Sequence, residues 1–218
     1  MMTSAIARPR KEHVTRILEL IGTASAPVAQ PALILMAGLP GSGKSTFARR
    51  LAVETGAVLL ESDALRQLLF GGPTHQASES RALFAAMFDA AGKLLRSGYT
   101  VIIDATNLKR SDRRPAHELA SATGAHLVIA QTVAPEAAIL DRLDRRAAGF
   151  DPADHSLAGV AVYRHMAEEA QPILEDHWQI DTSDERATDA ALAGLIEELR
   201  LMGATSPAVA HVTGGSIS

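Results

Sequence analysis

The sequence predicts an α/β fold in which helices cover both faces of a five-stranded parallel sheet. From Ala32 onward, short apolar runs alternate with longer segments of helical periodicity. This alternation is typical of parallel strands joined by right-handed crossover helices. The first apolar run leads directly into the glycine-rich segment GLPGSGKST at residues 38–46. A chain of 218 residues is accounted for by one domain of this class.

An accessory helix and a linker are predicted ahead of the first strand. Residues 11–21 place apolar side chains at helical spacing, namely Val14, Ile17, Leu18 and Ile21. Residues 22–31 contain two prolines and predict a linker. We expect residues 1–30 to form this helix and linker and residues 31–203 to form the main domain. Residues 204–218 are small, polar and glycine-rich, and we expect them to be a mobile tail.

The main domain is predicted to contain five strands and six helices after the linker. The predicted strands are 32–37, 57–61, 99–104, 126–133 and 178–182. The predicted helices are 44–55, 78–97, 111–123, 135–147, 156–170 and 185–202. Gly56 and Gly98 are expected just past helix ends, and Ser183 or Asp184 is expected to cap the last helix. An apolar stripe on the helix 78–97 indicates a core face rather than a ligand surface.

Residues 38–46 fit the phosphate-loop pattern G-x-x-x-x-G-K-[ST]. Glycines allow the backbone to wrap around a polyphosphate so that successive N–H groups point inward, and the following helix adds the positive end of its dipole. Lys44 is predicted to reach the β- and γ-phosphates of ATP, and the Ser45 hydroxyl to bind Mg²⁺. The residues expected to contact the nucleotide are Gly38, Pro40, Gly41, Ser42, Gly43, Lys44, Ser45 and Thr46.

The position of this loop, between a strand and a helix, disfavours a chance match in a glycine-rich turn. It predicts a P-loop NTPase fold with strand order 2-3-1-4-5 and a small helical lid. Ligands of open parallel sheets sit at the carboxyl ends of the strands, so we looked there for the groups that phosphoryl transfer needs.

Asp63 and Arg66 follow the second predicted strand and lie three residues apart in the first turn of a helix. Asp63 would accept the proton of an acceptor hydroxyl, and Arg66 would hold a charged part of the acceptor or the transferred phosphate. In the structural alternative, Asp63 caps the helix and Arg66 is its ion-pair partner on the surface.

Asp104 closes the strand 99–104 and is predicted to hold Mg²⁺ opposite Ser45, directly or through water. Thr106 and Asn107 come next and would either hydrogen-bond the acceptor or order the loop. In the basic run that follows, Arg113 or Arg114 would bind an acceptor phosphate or the lid.

Arg142 and Arg146 lie one turn apart on the helix 135–147. Either would stabilise charge on the γ-phosphate oxygens, by roughly 10³-fold or more in the best cases. Because aspartates interleave with these arginines, an exposed ion-paired helix is the alternative. Residues 149–152 are predicted to be a lid hinge, and Thr182 with Ser183 is a candidate site for adenine.

Composition excludes several classes of function. The chain contains no cysteine, and its apolar runs are far shorter than the ~20 residues that span a membrane. Since its start also lacks a secretory signal, we expect a cytoplasmic protein. A formal net charge of −4 disfavours nucleic acid as the main partner. His75, His155 and His165 are assigned to surface or packing roles because no histidine pair shows metal-binding spacing.

Four segments, GLPGSGKST, SDALR, IDATNLKRSDRR and DRLDRR, together resemble the AAA-type P-loop kinases that include phage-type polynucleotide 5′-hydroxyl kinase and the zeta-toxin-like kinases. The resemblance covers about residues 32–184. It implies that Lys44 and Ser45 bind ATP and Mg²⁺ and that Asp63 activates the acceptor hydroxyl. It further implies that Arg66 contacts an acceptor phosphate, with Arg146 or Arg142 as the lid arginine.

The sequence therefore predicts an ATP- and Mg²⁺-dependent kinase acting on a hydroxyl of an unidentified acceptor, which is small or nucleotide-like. The alternatives are a polynucleotide 5′-hydroxyl kinase, a zeta-toxin-like nucleotide-sugar kinase, and an ATP-binding switch or ATPase that is not a kinase. We expect no counterpart of the phosphatase half of the phage enzyme, and the spacing from Asn107 to Arg113 and Arg114 is one residue longer than in that enzyme. The fold alone does not choose among these acceptors.

Overall fold

The computed structural model describes residues 4–21, 26–71, 74, 76–147 and 159–206. The strands are β1 (Ala32–Ala37), β2 (Val58–Glu61), β3 (Val101–Asp104), β4 (His126–Val133) and β5 (Trp178–Asp181). The helices are α1 (Ser4–Ile21), α2 (Lys44–Thr55), α3 (Ser62–Phe70), α4 (Ala77–Arg96), α5 (Arg110–Thr123), α6 (Glu136–Ala147), α7 (Val160–Glu169) and α8 (Glu185–Leu201). Within these residues, no helix combines the length and apolar character needed to cross a membrane.

The five strands form one parallel sheet in the order β2-β3-β1-β4-β5, which confirms the predicted order. Every residue of β1 is buried, as expected for a central strand covered on both faces. Glu61 at the end of β2 lies in register with Asp104 at the end of β3. The loops that follow β1, β2 and β3 therefore meet at one edge of the sheet.

Alternate residues of β1 pack into two separate hydrophobic cores, one on each face of the sheet. On one face Leu33 and Leu35 pack with the predicted apolar stripe of α4, including Leu83 and Met87. On the other face Ile34 and Met36 belong to a core that includes Phe47 of α2, Leu195 and Leu199. A third, smaller cluster of Ile139, Leu143 and Tyr163 joins α6 to α7. We assign these two helices to the predicted small helical lid.

Helix α1 is longer than predicted and packs on the main domain. It begins at Ser4, seven residues before the predicted start at Lys11. Val14 and Ile17 are buried in the core beneath α4, and Arg16 donates a 2.6 Å hydrogen bond to the Leu68 carbonyl near the end of α3. Burial of these apolar side chains fixes the helix against the domain.

The local geometry at several helix ends can be compared with the predictions. Gly56 and Gly98 both have positive φ angles, as a residue just past a helix end requires. Asp184, rather than Ser183, caps α8, since its carboxylate accepts from the N–H groups of Arg186 and Ala187. Helix α3, whose first turn was predicted to contain Asp63 and Arg66, has nine residues.

The first residues of the predicted mobile tail are part of the fold. Ala204 and Ser206 are buried, and the Ser206 N–H donates to the carbonyl of Thr55 at 2.9 Å. The rest of that predicted tail, the predicted hinge at 149–152, the start of the predicted helix at 156–158, His75 and His155 lie outside the described residues.

Candidate active site

The phosphate loop joins β1 to α2 in a conformation that requires its glycines. Gly38, Gly41 and Gly43 have φ angles of 142°, 78° and 85°, values that L side chains rarely adopt. A Cβ at Gly38 would lie 2.6 Å from the carbonyl oxygen of Thr132. The loop therefore passes close to β4 at a point where no side chain fits.

Polar contacts hold the loop in place. The hydroxyls of Ser42 and Thr132 lie 2.7 Å apart in a buried contact, so the side chain of Ser42 faces β4. Lys44 is buried, and its Nζ donates to the Leu39 carbonyl at 3.1 Å, across the loop. The backbone N–H groups at the start of α2 and the Lys44 ammonium together make this loop a site for an anion.

A cavity of about 580 Å³ opens beside the loop and gathers most of the predicted site residues. Its walls include the end of β3, the first turn of α3 and side chains from both lid helices. The predicted residues that line it are Pro40, Gly41, Gly43, Lys44, Ser45, Thr46, Asp63, Arg66, Asp104, Thr106 and Arg146. Segments distant in the sequence thus share one cleft, as the positions of the strand ends predict.

Asp104 lies at the floor of this cleft and is 5% exposed. Its Oδ1 is buried and has no hydrogen-bond partner among the described residues. A buried carboxylate oxygen without a donor is costly, and a cation bound beside Ser45 would satisfy it. The described residues contain no group of three or more His, Asp or Glu that could hold a metal. The residues fit Mg²⁺, which is usually held by one or two protein oxygens, phosphates and water.

Arg66 lines the same cleft but is already engaged by a carboxylate. Its guanidinium forms a 2.6 Å ion pair with Glu79 of α4, and each side chain of the pair is 9% exposed. The other oxygen of Glu79 accepts from the N–H and the hydroxyl of Thr74 at 2.7 and 2.9 Å. The structural alternative for Arg66 was a surface pair with Asp63, whereas the observed partner is Glu79 and the pair is buried.

The two candidate lid arginines differ in position. Arg142 donates to the Thr182 carbonyl at 2.6 Å and to the Gly41 carbonyl at 3.2 Å. It therefore ties the phosphate loop to the end of β5. Arg146 lines both the main cleft and a second cavity of about 570 Å³, whose walls include Thr182 and Ser183, the predicted adenine site. The alternative prediction was an exposed helix whose arginines form ion pairs. Arg145 fits this alternative, since it pairs with Asp141 at 3.0 Å.

Three predicted acceptor residues do not line the cleft. Asn107 is buried, and its side-chain amide donates to the Met36 carbonyl at 2.7 Å. It therefore orders the loop, the second of its two predicted roles. Arg113 is 1% exposed and donates to the carbonyls of Asn107 and Leu108 and to Glu175. Arg114 pairs with Glu118 on the surface of α5. The geometry gives no support to an acceptor contact by either arginine.

Glu175 is the carboxylate that pairs with the buried Arg113. A hydrogen bond from its own backbone N–H lowers the pKa of Glu175 to about 2, with a further contribution from Arg113, while partial burial acts in the opposite direction. The carboxylate of Glu175 contacts Arg113 of α5 at 3.4 Å.

Residues 33–173 match the family model AAA_33, described as an AAA domain. The chain belongs to this family. An uncharacterized protein of Mycobacterium tuberculosis (strain H37Rv) is 31% identical to this AAA_33 chain over 157 residues, which cover 66% of the chain and 32% of the relative. The chain thus spans about a third of the length of the curated relatives it matches.

Two solved structures share the fold of the AAA_33 domain. Kti12 of Chaetomium thermophilum in complex with ADP-AlF3 is 20% identical with a TM-score of 0.61, covering 76% of this chain and 97% of that chain. APS kinase CysC of Mycobacterium tuberculosis, in complex with AMPPNP and APS, is 19% identical with a TM-score of 0.56, covering 79% and 99%. At these identities the likeness establishes the fold.

The sequence did not predict roles for Glu79, Arg49 or Glu61. Arg49 and Glu61 form an ion pair at 2.7 Å and line the cleft of this AAA_33 domain. Glu79 does not line the cleft but pairs with Arg66, which does. Glu79 lies on a different helix from Arg66 and 13 residues away. No local spacing links the two residues. The signal available was an acidic residue in the first turn of α4, which also suits the helix dipole and needs no partner.

Proposed function

We propose that this domain is a kinase that transfers the γ-phosphate of ATP to a hydroxyl group of a small acceptor. The observation that carries the proposal is the composition of the main cleft. The Lys44 and Ser45 end of the phosphate loop, the carboxylates of Asp63 and Asp104, and Arg146 all line it. This set covers phosphate binding, metal binding, proton removal and charge stabilisation, the functions that phosphoryl transfer requires.

Each residue has a role that its position supports. The Lys44 ammonium would exchange its bond to the Leu39 carbonyl for the β- and γ-phosphate oxygens. Ser45 and Asp104 would hold Mg²⁺, which neutralises phosphate charge when bound. Asp63 would accept the proton of the acceptor hydroxyl. Arg146 would stabilise charge on the transferred group, since Arg142 is engaged by the phosphate loop and Thr182.

An acceptor is favoured over a bare ATPase by part of the cleft wall. Besides Asp63, the wall contains Ser80 and Phe84 of α4 together with Val162 and Met166 of the lid helix α7. Hydrolysis needs room only for a water, whereas apolar and hydroxyl side chains next to a candidate base suit a larger organic molecule. This wall supports a kinase more than an ATP-binding switch.

The proposal is tested by incubating the protein with γ-labelled ATP, Mg²⁺ and a panel of sugars, polyols, nucleosides and oligonucleotides, beside a phosphate-release assay. We expect label in an organic product. Phosphate release that no acceptor changes would contradict the proposal and favour the switch or ATPase. Label in oligonucleotides would favour a polynucleotide kinase. Growth arrest on expression, rescued by Asp63→Asn, would favour a toxin acting on a nucleotide sugar.

A further inference from the structure

The acceptor side of the cleft contains a buried ion pair that the proposed chemistry does not use. Arg66 and Glu79 contact at 2.6 Å, and each side chain is 9% exposed. Arg66 lines the cleft next to Asp63, and Ser80, the neighbour of Glu79, lines it as well. Ser80 also accepts a weak 3.4 Å hydrogen bond from Arg66. The charge of Arg66 is therefore compensated before any acceptor binds.

Glu79 is itself held in place. Its second carboxylate oxygen accepts from the N–H and the hydroxyl of Thr74 at 2.7 and 2.9 Å, and it lies in the first turn of α4, where the helix dipole favours a negative charge. An anionic acceptor that took over Arg66 would leave Glu79 buried without its cation. Removing one partner from a buried pair is strongly unfavourable.

Another cation in the cleft wall is paired with a carboxylate too. Arg49 pairs with Glu61 at 2.7 Å. The remaining surface around Asp63 offers the hydroxyls of Ser62 and Ser80 and the apolar surfaces of Phe84 and Met166. Hydroxyl and apolar groups match the O–H and C–H surfaces of an uncharged polyol, sugar or nucleoside. They offer no compensation for a second negative charge.

We propose that Glu79 is a specificity-determining residue that neutralises Arg66 and restricts the acceptor subsite to uncharged hydroxyl compounds. The inference rests on the proposed kinase function and narrows its acceptor class. Specificity of this kind comes from a repulsive element as much as from attractive contacts. Polynucleotides and phosphorylated sugars are excluded because Glu79 already neutralises Arg66, while the proposed chemistry assigns Lys44 and Arg146 to the phosphates of ATP.

Calorimetric binding tests this inference without requiring transfer. The protein is saturated with AMPPNP and Mg²⁺ and titrated with two matched pairs of probes, ribose with ribose 5-phosphate and deoxycytidine with deoxycytidine 3′-monophosphate. For the wild-type protein, we expect the phosphorylated member of each pair to bind no more tightly than the neutral member. Glu79→Gln should bind the phosphorylated members at least about tenfold more tightly than wild type, because the uncharged side chain no longer neutralises Arg66 and leaves its guanidinium to pair with the phosphate.

Two further variants serve as controls. Glu79→Asp keeps the charge and should keep the wild-type discrimination. Glu118→Gln removes a carboxylate from the exposed pair on α5 and should also behave as wild type. Tenfold tighter wild-type binding of either phosphorylated probe overturns the inference, as does a folded Glu79→Gln that gains nothing. If Glu79→Gln does not fold, the wild-type titrations still test whether the subsite prefers the phosphorylated or the neutral probe. If AMPPNP binds and the titrations give the expected discrimination, but no acceptor is labelled by γ-labelled ATP, the proposed kinase activity is contradicted and the inference about Glu79 is not.

Discussion

The side-chain amide of Asn107 donates a 2.7 Å hydrogen bond to the main-chain carbonyl of Met36. This contact ties the loop after β3 to the end of β1, the strand that leads into the phosphate loop. Asn107 also has a φ angle of 45°, in the left-handed region that asparagine and glycine tolerate best. The residue therefore stabilises the loop through the hydrogen bond of its side-chain amide and through its tolerance of a left-handed backbone conformation.

Substituting Asn107 separates these two contributions. Asn107→Gly removes the buried hydrogen bond and should lower the free energy of unfolding by about 1–2 kcal/mol. Asn107→Ala removes the same hydrogen bond but, unlike glycine, keeps a Cβ in the left-handed region, and it should cost about 1 kcal/mol more than Asn107→Gly. Urea denaturation of the two variants checks this order. Equal stability of Asn107→Ala and wild type would mean that the side chain does not order the loop.

The lid arginines offer a matched pair on one helix. Arg146 lines the main cleft, whereas its neighbour Arg145 is 72% exposed and pairs with Asp141. We expect Arg146→Ala to lower the rate of phosphoryl transfer by about 10³-fold, because the charge of the transition state loses a cation. Arg145→Ala should change this rate by less than about threefold. Initial rates at saturating ATP measure both, and equal losses in the two variants would remove Arg146 from its proposed role.

Glu175 makes stability depend on pH in a defined direction. Its pKa is lowered to about 2 in the folded protein from an ordinary value of 4.5, so the folded state binds its proton less readily than the unfolded chain. Its charge therefore stabilises the fold above pH 4.5, and this contribution is lost as the pH falls toward 2. Thermal melts should show Glu175→Gln less stable than wild type at pH 7, with the difference shrinking below pH 4.5. A pH-independent difference would contradict this account, and Glu118→Gln is the exposed control.

Much of the fold was predictable because it depends on local patterns. The parallel sheet followed from the alternation of strands with helices, its order is the one expected of a P-loop NTPase fold, and α2 has the predicted bounds. The cleft was predictable because the carboxyl ends of parallel strands lie at one edge of the sheet. This rule predicted that Asp63, Asp104 and Ser45 lie together, and all three line the cleft.

Other features depend on packing between distant segments, which spacing along the chain does not reveal. The basic run after Asn107 predicted anion binding, yet burial takes up the donors of Arg113. The partner of Arg66 comes from the next helix, and Arg142 reaches the phosphate loop because α6 packs across it. The N-terminal extension of α1 lacks the apolar periodicity by which its later turns were found.

The proposed role of Asp63 as the base that accepts the acceptor's proton is tested most directly by Asp63→Asn, which keeps the side-chain shape and removes the charge. ATP affinity and phosphoryl transfer to the acceptor found in the panel are measured in parallel, with Lys44→Ala as the variant expected to lose ATP binding or turnover. We predict that Asp63→Asn binds ATP within a few fold of wild type and transfers phosphate about 10²-fold more slowly or worse. Transfer at the wild-type rate would contradict the central claim.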